Sequence, residues 1–223
     1  MPVLEDHGLR GTFYLVPNGI RWERNLPRWQ EVAKNGHEIG NHTLSHICSL
    51  GFLDAPGGAP ALEGLTLEAI EQDILAAEAR LQEAFPAHGP RSFCYPCYQD
   101  FVGRGATRQS YVPIVARHFV AARGLGEVPN HPATCDLHYL WSWPAERMDH
   151  HKLIGLAEAC AAQGRWGIFT FHGVGEGHLP IARHDLELFC AHLARNADRL
   201  WVAPVATVAV RIAEWRKGLP LHP

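Results

Sequence analysis

Gly11-Thr12-Phe13-Tyr14-Leu15-Val16, stopped by Pro17-Asn18-Gly19, is the stretch on which the fold turns. It is β-branched and aromatic over the length of a strand, so it reads as a buried strand. After Gly19 the pattern switches to helical spacing and back. Leu26 to Asn35 carries Leu26, Trp29, Val32 and Ala33 at helical intervals and closes at Gly36, and His37 to Gly40 is a second short strand. Beyond a Gly-, Pro- and Ala-rich loop at residues 51–64, Thr66 caps a long helix with Leu67, Ile70, Ile74, Leu81 and Phe85 on one face.

The alternation continues to the C-terminus. Ser92 to Tyr95 and Phe119 to Ala122 are strands, with a helix at Tyr111 to Arg117 between them. An irregular passage from Gly124 to Pro144 holds one short strand near residues 138–142. A helix capped by Asp149 then runs to Ala162, followed by a strand at Trp166 to Phe171, a helix at His184 to Asn196, a strand at Trp201 to Ala203 and a helix at Val205 to Arg216. Such an order predicts an α/β fold, a barrel or a doubly wound sheet of parallel strands with crossover helices, in one domain over residues 1–223. Chemistry in such folds sits where strands end. Pro2 to His7 resembles the closing turns of a crossover helix, and a parallel sheet places a strand before such a helix, so a first strand is expected upstream of Met1.

Composition narrows the function classes. With 223 residues and 47% hydrophobic content the chain can bury a sizeable core, and a formal net charge of -3 without a basic run argues against nucleic acid. No apolar stretch approaches the roughly 20 residues of a membrane span. As written the chain reads as cytoplasmic, and as secreted if an N-terminal segment with a signal precedes Met1. The six Cys are expected to be mostly reduced and buried. Oligomeric state is not readable.

Three groups of residues are candidates for chemistry. His42 and His46 follow a strand at a spacing of four, which would put both imidazoles on one helical face, able to grip one Zn²⁺. About one such pair is expected by chance among the 15 His, so its position at a strand end is what raises it. His172 stands at the tip of the strand Trp166 to Phe171, where a proton donor could reach a ligand. Cys94-Tyr95-Pro96-Cys97, again at a strand end, fits a tight structural turn or, with His42 and His46, a Cys₂His₂ zinc site; a redox dithiol is disfavoured, because such motifs open a helix and Tyr98 to Phe101 is only weakly helical. Trp141 and Trp143 are core residues or a wall for a sugar. His150, His151, His184 and His192 are expected on polar helix faces in solvent.

Taken in order, His7 to Tyr14, Gly36-His37-Glu38-Ile39-Gly40-Asn41-His42 with His46, Phe93-Cys94-Tyr95-Pro96-Cys97 and Phe169-Thr170-Phe171-His172 resemble the successive blocks of the polysaccharide deacetylases, the NodB-type carbohydrate esterases. The resemblance implies a distorted (β/α) barrel of seven strands, here without its first strand, and a divalent metal, usually zinc. It also implies a hydrolase that removes acetyl groups from N- or O-acetylated saccharides. By the same resemblance His42 and His46 would be metal ligands, His172 the general acid, and the backbone N–H of Cys97 an oxyanion donor. Apart from the resemblance, Tyr95 and Trp143 are candidate substrate contacts. Two departures stand out. The family's Asp-Asp block, source of the base and the third ligand, is absent from the sequence, and the arginine many members carry in the third block is Cys94 here. Impaired turnover at a weak metal site is therefore expected. A catalytically silent glycan-binding relative and a metal-independent amidohydrolase of the same superfamily are the alternatives.

Overall fold

A computed structural model describes residues 2–52 and 60–219, so the middle of the loop expected at residues 51–64 lies outside the described residues. Two compact units emerge, Thr12–Gly124 with Leu137–Tyr139, and Met1–Gly11 with Leu125–Asp136 and Leu140–Pro223. The short helix α1 (Pro2–Asp6), at the place of the expected half-helix, opens the chain in the second of these.

In the first unit β1 (Thr12–Leu15), β2 (Glu38–Asn41) and β3 (Ser92–Cys94) alternate with α2 (Gly19–Lys34) and α3 (Leu67–Ala84). A small antiparallel hairpin, β4 (Phe101–Val102) with β5 (Gln109–Ser110), precedes α4 (Val112–His118) and β6 (Ala121–Arg123). Four of these strands form one parallel sheet in the order β1-β2-β3-β6. Pairing of Thr12 with Glu38, Asn41 with Phe93 and Cys94 with Arg123 fixes the register.

Because side chains alternate along a strand, that register sorts the sheet into two unlike faces. Phe13, Leu15, Ile39, Phe93 and Ala122 share one face. Leu15 and Ile39 pack with Trp22 and Val32 of α2 and Leu81 of α3, while Phe93 and Ala122 pack with Ile70 and Ile74 of α3 and with Ile114 and Val115 of α4. Thr12, Tyr14, Glu38, Gly40, Ser92, Cys94 and Arg123 share the other. Here the Glu38 carboxylate accepts from Thr12 Oγ1, from the Ser92 N–H and from Ser92 Oγ, each at 2.7 Å. With the Ser92 hydroxyl donating to Glu38, Tyr14 must donate its own proton to Ser92 Oγ, 2.8 Å away. Tyr14 reaches Ser92 only by crossing Gly40, where a Cβ would come 2.5 Å from the Tyr14 ring.

Helix α2 begins at Gly19, a full turn and more before the expected Leu26, because Trp22 extends its buried stripe backwards. Pro27 is tolerated inside it on the exposed side of the helix, where both Pro27 and Glu23, one turn earlier, are exposed. Thr66 caps α3 as expected, accepting from the Ala69 N–H at 3.2 Å.

The second unit holds α1, β7 (Trp143–Pro144), α5 (His150–Ala162), β8 (Phe169–Thr170), β9 (Gly173–Val174), β10 (Pro180–Ile181), α6 (Arg183–Arg195) and α7 (Val205–Arg216). Its core gathers Val3, Leu9, Leu153, Ile181, Leu186 and Phe189. The strands are two residues long and pair in parallel, β7 with β8 and β9 with β10. The strand expected at Trp166 to Phe171 thus shrinks to Phe169–Thr170, because Trp166 instead bridges Asn130 in antiparallel fashion. The strand expected near residues 138–142 forms slightly later, at Trp143–Pro144. No strand forms at Trp201 to Ala203, where Trp201 is exposed.

Among the described residues the strands do not close into a barrel: the structure bears out the parallel α/β order, and the seven-stranded closure is not seen. No described helix is long and apolar enough to cross a membrane.

Candidate functional site

The C-terminal end of the four-stranded sheet is where side chains capable of chemistry collect. His42 comes directly after β2, but the segment to His46 is not helical. It is a tight turn in which Thr43 and His46 adopt positive φ (63° and 47°). A β-branched residue in that region is a genuine outlier, and such strain persists only where surrounding bonds over-determine it. Those bonds are present. Asn41 Oδ1 accepts from the Thr43 N–H at 2.9 Å, Thr43 Oγ1 accepts from the His46 N–H at 3.0 Å, and Asp73 of α3 accepts from the N–H groups of Leu44 and Ser45 and from Ser45 Oγ. Asn41 itself donates to the Ile74 carbonyl and to Glu78.

The turn brings the two imidazoles together, with ring centroids 4.7 Å apart. His42 Nδ1 lies 2.8 Å from the carbonyl oxygen of Cys94. A carbonyl only accepts, so Nδ1 carries the proton and Nε2 keeps the lone pair that a metal takes, the arrangement found behind metal-binding His. The donor set suits zinc in kind, though a third protein ligand is the usual minimum. No carboxylate of the described residues joins these imidazoles in a cluster; the one cluster of three ligand-type side chains, with ligand atoms within 4.8 Å of one another, is His46, Cys48 and Cys97.

The two cysteines of the C-x-x-C turn go separate ways, which corrects the Cys₂His₂ expectation. Cys94 is buried on β3, its Sγ donates to the Tyr95 carbonyl, and burial pushes its thiol up to about 11 even with the Arg123 guanidinium drawing it down. Cys97 instead forms a disulfide with Cys48, whose Cα is 5.8 Å away, while the other four Cys are free thiols, in line with the expectation that most are reduced. Cys48 carries no motif of its own in the sequence, although it lies two residues past His46. Cys97 has φ 53°, and its backbone sits in the turn after Pro96.

Arg123 is likewise unmarked by any sequence motif. It pairs with Cys94 across β3 and β6, is 8% exposed, and lies 5.1 Å and 5.6 Å from the ring centroids of Tyr14 and Tyr98. Its Nη1 is buried with no hydrogen-bond partner among the described residues. A guanidinium is therefore present at the third block after all, supplied by the neighbouring strand rather than by position 94. Sequence spacing could not show this, because only strand order makes the two residues neighbours.

Tyr95 is 1% exposed, donates its hydroxyl to the His138 carbonyl at 2.7 Å, and packs against Phe93, Tyr111 and Tyr139. In the second unit Trp143 is 6% exposed and stacked on Phe169 at 5.5 Å. Each side chain has its ring faces against protein, the setting of a core residue rather than of an open sugar platform. Trp141 is the exposed one of the tryptophan pair.

His172, in the same unit, lies in the bend between β8 and β9, with its ring 5.4 Å from that of His178. The bend requires Gly173, since a Cβ there would lie 2.3 Å from the Glu176 carbonyl oxygen. His150 and His192, expected in open solvent, are paired: His150 Nδ1 is 2.8 Å from Asp185 and His192 Nε2 is 2.7 Å from Glu158.

Comparison with known proteins agrees with the resemblance over the stretch that holds the first three blocks. Residues 1–100 match the model of the polysaccharide deacetylase family. A peptidoglycan-N-acetylglucosamine deacetylase of Bacillus cereus is 32% identical over 75 residues, 34% of this chain, and the match covers only 28% of that protein's length. In fold, a structure named a probable polysaccharide deacetylase from Pseudomonas aeruginosa PAO1 superposes with a TM-score of 0.65 at 14% identity, over 99% of this chain and 72% of that one. A Bacillus anthracis protein described as a CE4 family pseudoenzyme superposes with a TM-score of 0.55 at 14% identity, over 93% of this chain and 58% of that one. At such identities the likeness speaks for the fold alone.

Proposed function

We infer that this chain, a member of the polysaccharide deacetylase family, binds a divalent metal through His42 and His46 and removes acetyl groups from N- or O-acetylated saccharide, with N-acetylglucosamine polymers as the first substrates to try. The observation that carries this reading is the His42 Nδ1 contact to the Cys94 carbonyl, 2.8 Å, which holds the ring in the metal-ready tautomer beside His46 at a strand end. A divalent metal bound there would polarise the acetyl carbonyl and lower the pKa of a bound water. The backbone N–H of Cys97 is assigned to the developing oxyanion, and His172 to protonation of the leaving amine or alcohol.

Turnover is expected to be slow. A positioned general base contributes roughly 10²-fold or more to rate, and no carboxylate of the described residues is clustered with the imidazoles. Two imidazoles alone also hold zinc weakly.

The test is acetate release from N-acetylglucosamine oligomers by the full chain, with and without added Zn²⁺. Slow release that rises with Zn²⁺ and disappears in His42→Ala supports the reading. Saccharide binding with no release at any Zn²⁺ concentration would make the chain a silent glycan binder. Release that ignores both Zn²⁺ and His42→Ala would point to a metal-independent amidohydrolase.

A further inference from the structure

The deacetylase reading uses His42 and His46 but leaves the Cys48–Cys97 pair unexplained. We propose that His46, Cys48 and Cys97 form a thiol-dependent cation site, which holds a soft divalent ion such as Zn²⁺ when the two cysteines are reduced and releases it when they join as the disulfide. The proposal stands on the geometry of these three side chains and does not rest on deacetylation.

Their ligand atoms lie within 4.8 Å of one another, with His46 Nδ1 3.9 Å from Cys48 Sγ. In a tetrahedral site with metal–sulfur bonds of about 2.3 Å and metal–nitrogen bonds of about 2.0 Å, sulfur and nitrogen sit roughly 3.6 Å apart, close to the observed spacing, while the two sulfurs must part from their covalent bond to roughly 3.8 Å once reduced. Two thiolates and an imidazole suit zinc rather than a hard cation, and three protein ligands leave one position open for water.

The backbone favours convergence in either redox state. His46 and Cys97 both take positive φ, 47° and 53°, which turns their side chains out of two separate turns. The segments stay tied without the disulfide: the Ser49 N–H donates to Gln99 Oε1 at 2.8 Å, and the Leu62 N–H donates to the Cys48 carbonyl at 3.2 Å. Reduction therefore leaves the thiols near each other. Cys94 takes no part, because its Sγ is directed at the Tyr95 carbonyl.

The chemistry balances. Loading the reduced site makes two metal–sulfur bonds and one metal–nitrogen bond and releases two thiol protons. A hydroperoxide then removes two electrons from the two thiolates; with hydrogen peroxide and two protons the products are the disulfide, two waters and the freed cation.

The test is Co²⁺ titration of the full chain, reduced and oxidised, read by near-ultraviolet thiolate-to-cobalt charge-transfer absorption. The reduced protein is expected to bind one Co²⁺ with that band, and the oxidised protein to show none. Hydrogen peroxide added to the zinc-loaded reduced protein should release one Zn²⁺ to a chelating dye. Cys48→Ser should weaken binding by more than about 100-fold, beyond what loss of an outer-sphere partner produces, while Cys94→Ser should leave the band in place. Co²⁺ binding by reduced wild type without the band, or with equal affinity after oxidation, overturns the proposal, and neither readout depends on a variant that might not fold.

Discussion

The two faces of the four-stranded sheet are built from the same strands and behave as opposites. Toward α2, α3 and α4 lies an apolar layer of Leu15, Ile39, Phe93 and Ala122. On the other side a ladder of hydroxyls and charges runs from Thr12 and Glu38 through Ser92 and Tyr14 to Cys94 and Arg123. An apolar layer is forgiving of identity but demands volume, whereas a buried polar ladder demands that every partner be present. The comparison teaches where stability and chemistry reside: helices hold the sheet by one face, which frees the other to carry groups that no core would choose.

Removing volume from the apolar face should produce the largest effect. Phe93 is 0% exposed and touches α3 and α4 residues, so Phe93→Ala is expected to cost about 3–5 kcal/mol in denaturant melts. A loss below about 1 kcal/mol would mean the helices do not depend on this layer. On the polar face Glu38→Ala should cost about 2–3 kcal/mol, because the buried Ser92 N–H loses its acceptor. Glu38→Gln, which keeps an acceptor oxygen, should recover part of that loss; if the two variants melt alike, the carboxylate is not holding the ladder.

Between the faces, at the strand ends, positioning matters more than stability. Asp73 reaches from α3 to clamp Leu44 and Ser45 in the turn between the two imidazoles. Asp73→Ala should change the melting midpoint little, since those N–H groups can turn to water, yet weaken Zn²⁺ binding by roughly 10-fold, as loss of an outer partner does. Equal affinity in wild type and variant would show that the turn holds itself.

The apolar face is legible in the sequence because hydrophobic periodicity writes it directly: Ile70, Ile74 and Leu81 mark α3, and Thr12 to Leu15 mark β1. His42 and His46 are legible as residues but not as geometry, since a spacing of four suggests a helical face and the chain makes a strained turn instead. Arg123 beside Cys94 and Cys48 beside Cys97 are invisible in the sequence for a common reason. Each pair is joined by strand order or by two loops meeting, over separations of 29 and 49 residues (123 minus 94 and 97 minus 48), and no local pattern encodes such meetings. The two-residue strands of the second unit fall short of the expected lengths because apolar runs such as Trp166 to Phe171 look alike whether or not a neighbour pairs with all of them.

The smallest effect should come from a carboxylate that resembles Glu38 in charge and differs in setting. Glu158 on α5 accepts from Arg199 at 2.6 and 2.7 Å and from His192 at 2.7 Å, and these hydrogen bonds, Arg199 first, hold its carboxyl down at about 2. A depressed folded-state value means the carboxylate stabilises the fold above its unfolded value of roughly 4.3 and loses that contribution as pH falls from there toward about 2. Because Glu158 is open to solvent, the contribution is small and is screened by salt. Melts of wild type and Glu158→Gln at pH 5 and at pH 2.5 should therefore differ at the higher pH and converge at the lower, with the difference shrinking in 1 M salt. Should Glu158→Gln keep the full acid sensitivity of wild type in that window, the exposed ion pairs are not its source.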